Sequence, residues 1–96
     1  MENLFVTDQQ KNTIKGVLIG SRTIDGVEIK SIDIHAIERM IERGFGASQI
    51  RNVYETAEPK KGNIYGRNVY EKNGVRVIIN INEGVIISVI RLKHRG

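Results

Sequence analysis

Apolar and polar positions change period twice along this chain. Residues 27–32 (Val-Glu-Ile-Lys-Ser-Ile) alternate, as a strand with one buried face does. The period then lengthens. At 100° per residue Ile34, Ile37, Met40 and Ile41 fall on one side of a helix, while His35, Glu38, Arg39, Glu42 and Arg43 crowd the other. Ser31 or Asp33 serves as its N-cap and Gly44 as its stop. A second helix is predicted over 47–56, with Ile50, Val53, Tyr54 and Ala57 on one face, Gly46 as N-cap and Gln49 at the third helical position. Alternation returns at 75–81, where Val75, Val77, Ile79 and Ile81 share one face and Arg76, Ile78 and Asn80 the other. Asn73-Gly74 and Asn82-Glu83-Gly84 are turn sequences, so strands are predicted over 63–71, 75–81 and 85–92.

The rest of the chain is patterned less clearly. Residues 1–12 are polar apart from Leu4-Phe5-Val6 and read as a loose lead-in. A strand is expected over 13–19, a turn at Gly20-Ser21 and a hairpin at Asp25-Gly26. Pro59-Lys60-Lys61-Gly62-Asn63 reads as a basic loop. The sum is a single α+β domain over 13–96, with two helices from the N-terminal half on one face of a small, twisted antiparallel sheet. Internal repeats, low-complexity segments and interior linkers are absent.

Composition narrows the class without naming a function. Ninety-six residues, 40% hydrophobic and 27% charged, allow one modest core. Fifteen Lys and Arg against eleven Asp and Glu leave +4, with a sequence pI near 9.6. That excess favours a polyanion, with nucleic acid ahead of an anionic membrane surface. The cations cluster: Lys60, Lys61, Arg67, Lys72 and Arg76 lie in the second half, and Arg91, Lys93, His94 and Arg95 end the chain. The absence of cysteine removes disulfides and thiolate chemistry, and two distant histidines make a zinc site improbable, so no metal or cofactor is expected. No apolar run reaches membrane-spanning length, and this chain has no signal peptide of its own.

His35 and Arg39 stand one helical turn apart, an imidazole that titrates near neutral pH beside a fixed guanidinium. That pairing suits phosphate chemistry. Around it, the run His35-Ala-Ile-Glu-Arg39-Met40-Ile-Glu-Arg43-Gly44, the Ile50 helix, the basic Gly-containing loop and the hairpin from Tyr70 through Gly74-Val-Arg-Val-Ile-Ile to Ile86-Ile-Ser-Val-Ile resemble a known group. It comprises the C-terminal ribonuclease toxin domains of bacterial polymorphic and contact-dependent growth-inhibition systems, of the barnase–EndoU–colicin–RelE superfamily. The resemblance spans roughly residues 31–92. It implies RNA cleavage without metal, often of tRNA, a cognate immunity protein as partner, and delivery within a larger secreted effector to a target-cell cytoplasm. His35, Arg39, Arg43 and Ser88 are the positions it carries over.

Metal-free cleavage needs a base for the 2′-hydroxyl, cations for the phosphorane and a proton for the leaving oxygen. The expected catalytic set is therefore His35, Arg39, Tyr70 and Ser88. Arg43, Lys60, Lys61, Arg67, Arg76 and Arg91 are expected to bind the substrate, and Tyr65 and Tyr70 to hydrogen-bond or stack on a splayed base. Arg76, Asn80 and Ser88 would line the sheet face the helices leave open. Each residue also has a plainer reading. His35 is an ordinary helix-start residue, and Arg39 pairs with Glu42 or His35 on a solvated face. Arg43 favours a helix C-terminus, Lys60 and Lys61 a solvated loop, and Arg67, Tyr70 and Arg76 a cross-strand cluster. Ser88 hydrogen-bonds locally, and His94 sits inert in a basic tail. The competing function is a non-catalytic RNA- or ribosome-binding module, or a toxin–antitoxin component, of the same fold. An immunity or scaffold protein fits the basic charge poorly.

Overall fold

A computed structural model describes residues 8–92; residues 1–7 and 93–96, with most of the expected lead-in and the basic tail of Lys93, His94 and Arg95, lie outside it. The chain runs α1 (Asp8–Leu18), β1 (Ser31–Ile32), α2 (Ile34–Glu42), α3 (Ala47–Thr56), β2 (Lys60–Lys61), β3 (Arg67–Lys72), β4 (Val75–Asn80) and β5 (Val85–Arg91). The α+β class is as expected. Its composition differs: three helices, not two, pack on one face of a five-stranded sheet ordered β1-β5-β4-β3-β2, and β1 runs parallel to β5, so the sheet is mixed.

The extra helix is α1, which occupies the end of the expected lead-in and most of the strand expected at 13–19. Its β-branched residues suggested a strand, but Ile14 and Leu18 lie one turn apart and both are buried. Arg51 on α3 donates to the Val17 carbonyl (3.1 Å), satisfying an end group that the helix cannot. In α2 the Asp33 carboxylate accepts the His35 backbone N–H (2.9 Å), the expected N-cap. The buried stripe is Ala36, Ile37 and Met40, rotated from the expected one: Ile34 is 46% exposed and Ile41 only partly buried. Helix α3 has the expected bounds, buries Ile50, Val53 and Tyr54, and caps itself through Gln49, whose side-chain oxygen accepts the Gly46 N–H (3.3 Å).

Between α1 and β1 the Asp25-Gly26 hairpin forms, but its ladder is a single bridge, Arg22 to Glu28, and the strand expected at 27–32 shrinks to Ser31–Ile32. The reason is the turn at Gly84. Its carbonyl accepts from Lys30 (2.7 Å) and Ser31 (3.3 Å), and the Ile86 carbonyl accepts from Asp33 (2.9 Å). Gly84 is buried at φ 68°, and a Cβ there would run into the Glu28 carbonyl. The first strand therefore lies against the β4–β5 turn and passes straight into α2.

The expected basic loop also gains order, since Lys60 and Lys61 pair with Val69 and Asn68 as an edge strand. The β3–β4 turn is the tight hairpin its Asn-Gly signals, with Asn73 at φ 54° and Gly74 at φ 78°. Strands β4 and β5 change register between Ile78 and Ile79, so Ser88 faces Ile78 while Ile86 faces Ile79, and Ile87 is the extra residue of a bulge. That bulge lets Ile86 and Val89, three apart, both enter the core with Tyr70, Val75, Val77 and Ile79.

Candidate nucleic-acid interface

The two-residue turn at Asn73-Gly74 sets the register that builds the site, placing Glu71 opposite Arg76 and Arg67 opposite Asn80. Pairing of β2 adds Lys60 beside Val69. These side chains belong to the open face of the sheet. All of them but Asn80 line a groove of about 420 Å³, floored by Val69 and Ile78 and walled by Lys60, Lys61, Arg67, Arg76, Glu71 and the 62–64 loop. Four cations and one carboxylate thus share the groove, and two of the cations, Arg76 and Lys60, face the carboxylate. Arg76 Nε donates to Glu71 Oε2 (2.5 Å) and Lys60 Nζ stands 3.7 Å from Oε1. The Arg76 hydrogen bond, helped by the charges of Arg76 and Lys60, holds the Glu71 carboxyl below the usual carboxylate range against the smaller opposing effect of burial. The net surplus is positive, in a concavity with an apolar floor, and suits a phosphate.

The loop above this groove is pinned at its base. Gly62 N–H donates to the Arg67 carbonyl (2.8 Å), Arg67 N–H to Ile64 (3.2 Å) and Ile81 N–H to Gly66 (2.9 Å). Its tip presents Ile64, 56% exposed, and Tyr65, 99% exposed. On the loop's other side lies a second depression of about 250 Å³, reached by Tyr65, Asn68, Ile81 and Asn82.

Tyr70 points away from this groove. Its ring is fully buried, paired with Val77 in the core, and its hydroxyl donates to Asp25 Oδ1 (2.7 Å). Thr23 Oγ1 donates to the same oxygen (2.5 Å), and Asn68 Nδ2 to Oδ2 (3.2 Å). Burial pushes the Asp25 carboxyl up, but these hydrogen bonds outweigh it and hold the group below its ordinary range. Burial, reinforced by the bond to Asp25, raises the Tyr70 phenol. The cluster pins the 23–27 turn against the sheet. Nearby, burial pushes the Tyr54 phenol up to about 12, its hydroxyl 2.6 Å from Ser21 Oγ.

The other expected residues are dispersed. His35 has a side chain 80% exposed, its Nδ1 3.3 Å from Asp33, on a helix across the sheet from the groove. Arg39 is exposed on the same helix, and among the described residues no ion pair joins it to Glu42 or His35. Arg43 is the C-cap of α2, and its carbonyl accepts from Arg91 Nη2 (3.3 Å). Arg91 also lies over the Phe45 ring, 4.5 Å from its centroid. Ser88 is half-buried on the open face opposite Ile78. Asn80 caps the β4–β5 turn, accepting from Asn82 and Glu83 N–H and donating to the Glu83 carboxylate. The structure therefore assembles Lys60, Lys61, Arg67 and Arg76, and leaves His35, Arg39, Arg43 and Arg91 with the helices.

Two carboxylates at these clusters were missed in the sequence. Glu71 was legible in principle, because a two-residue turn at 73–74 fixes residue 71 opposite 76. Asp25 was not, since beyond the neighbouring Thr23 its partners come from 43 and 45 residues further along. Among the described residues no group of three His, Cys, Asp or Glu converges as metal ligands would, and no helix is long and apolar enough to cross a membrane. No protein-family model matches the chain, and no curated protein is similar to it.

Proposed function

We propose that this domain acts on RNA, as a metal-independent endoribonuclease of the toxin type, and that the groove on the open sheet face receives the scissile phosphate. The observation that carries this reading is one groove lined by Lys60, Lys61, Arg67 and Arg76, in which Glu71 is held ionised by Arg76 and Lys60. In the proposed reaction the 2′-oxygen attacks the adjacent phosphorus and its proton passes to Glu71. The P–O5′ bond then breaks as the 5′-oxygen takes a proton from the Lys60 ammonium, leaving a 2′,3′-cyclic phosphate and a 5′-hydroxyl. Arg67 and Arg76 offset charge on the non-bridging oxygens. As a toxin domain it would travel within a larger effector, act on tRNA in a target cell, and be neutralised by an immunity protein whose acidic surface covers the groove.

A second reading, a non-catalytic RNA-binding module, is favoured by one observation. Both oxygens of Glu71 already face cations, and a carboxylate held ionised this way is a weak base. Incubation with total bacterial RNA in EDTA separates the readings. Discrete fragments from the wild type, lost in Glu71→Gln and Arg76→Ala but kept in His35→Ala, assign the chemistry to the groove. Fragments lost only in His35→Ala assign it to α2. Intact RNA together with salt-dependent binding leaves the binding module.

A further inference from the structure

We propose that the second depression, beside Tyr65, is a subsite for one unstacked nucleobase of single-stranded RNA; this rests on the reading of the sheet-face groove as an RNA-phosphate site. The two concavities share Lys61, Gly62, Ile64 and Arg67 as a common wall. A nucleotide with its phosphate in the groove therefore has its base within reach of the loop's other side. The chemistry changes across that wall. Lys61 and Arg67 serve both; the groove adds Lys60 and Arg76, whereas the second depression adds an aromatic ring, the apolar Ile81 and the amides of Asn68 and Asn82.

Three features fit a base. A tyrosine 99% exposed buries almost none of its ring in the fold, and its face is available for stacking. The loop that carries it is tied down by backbone hydrogen bonds from Gly62, Arg67 and Ile81, so little order is lost when a base lands on the ring. The amides can read a base edge. Asn68 donates its Nδ2 to Asp25, which turns its oxygen into a fixed acceptor, and the Asn82 side chain makes no hydrogen bond among the described residues. In a duplex the bases are stacked on one another and their edges sit in grooves, so only an unpaired nucleotide can enter.

The test uses fluorescein-labelled 2′-O-methyl oligonucleotides, which bind but cannot be cleaved because the attacking oxygen is blocked. Affinity is read by anisotropy for a single strand and for the matching duplex. The wild type is expected to prefer the single strand. Tyr65→Ala should weaken single-strand binding about tenfold, Tyr65→Phe should restore it, and neither should move duplex binding. Because Tyr65 is exposed, unchanged thermal melts will show that both variants fold. Arg67→Ala should weaken single strand and duplex together and lower the salt dependence by about one ion. Equal binding by Tyr65→Ala and wild type overturns the base subsite and leaves the RNA reading standing. A wild type that binds neither strand form overturns both.

Discussion

The two faces of the same three strands show opposite chemistry at alternate residues. Facing the helices are Tyr70, Val75, Val77, Ile79, Ile86 and Val89, all buried. Facing outward are Arg67, Val69, Glu71, Arg76, Ile78 and Ser88, all partly exposed. Nothing but the pleat separates Val77 from Arg76. The contrast places the core on one side of the sheet and the proposed RNA groove on the other, so substitutions one residue apart should have different consequences.

The largest effect is expected from Ile79→Ala, which empties a fully buried site and should cost about 2–5 kcal/mol in urea unfolding. Its neighbour Ile78→Ala should cost a small fraction of that, and equal losses would break the comparison. Tyr70→Phe comes next, at about 1–2 kcal/mol, because it removes one donor from a carboxylate that keeps Thr23 and Asn68. The same cluster sets a pH dependence. The folded Asp25 carboxyl lies below its ordinary value of 3.8, so it contributes stability that is present above that value and lost as pH falls through the folded one. Asp25→Asn should lower the thermal midpoint at neutral pH and flatten the acid limb below about pH 4. Arg76→Ala should change stability by less than about 1 kcal/mol, since its ion pair is partly exposed, yet weaken RNA binding measurably. Smallest of all is Arg39→Ala on the outer helix face, expected within about 0.5 kcal/mol of wild type and neutral for RNA binding.

Local signals made much of this molecule legible. The α3 boundaries, the Asp33 cap and the Asn-Gly turn all depend on neighbours within a few residues, and each formed as the sequence predicts. Failures cluster where distant residues decide. Thr13, Ile14, Val17 and Ile19 favour a strand on propensity, but Ile14 and Leu18 bury only if the segment is helical against α2 and α3. Lys60 and Lys61 look like loop until β3 supplies their partners. The candidate site follows the same division. Its cations were visible as a cluster in sequence, whereas the separation of His35 from them depends on which sheet face the helices cover, a property of packing alone.

The contact between Gly84 and residues 30–31 makes the domain's order of assembly a matter of completeness. Among the described residues β1 has one strand neighbour, β5, drawn from the far end of the chain. During synthesis β1 and α2 emerge well before β5, the strand that both pack on, and a contact so distant in sequence closes late. A chain that stops before Val85 has β3 and β4 under α3, but leaves α2 without the strand it packs on and β1 without a strand partner. The last strand thus works as a clasp, whose leading turn secures the first strand to the sheet.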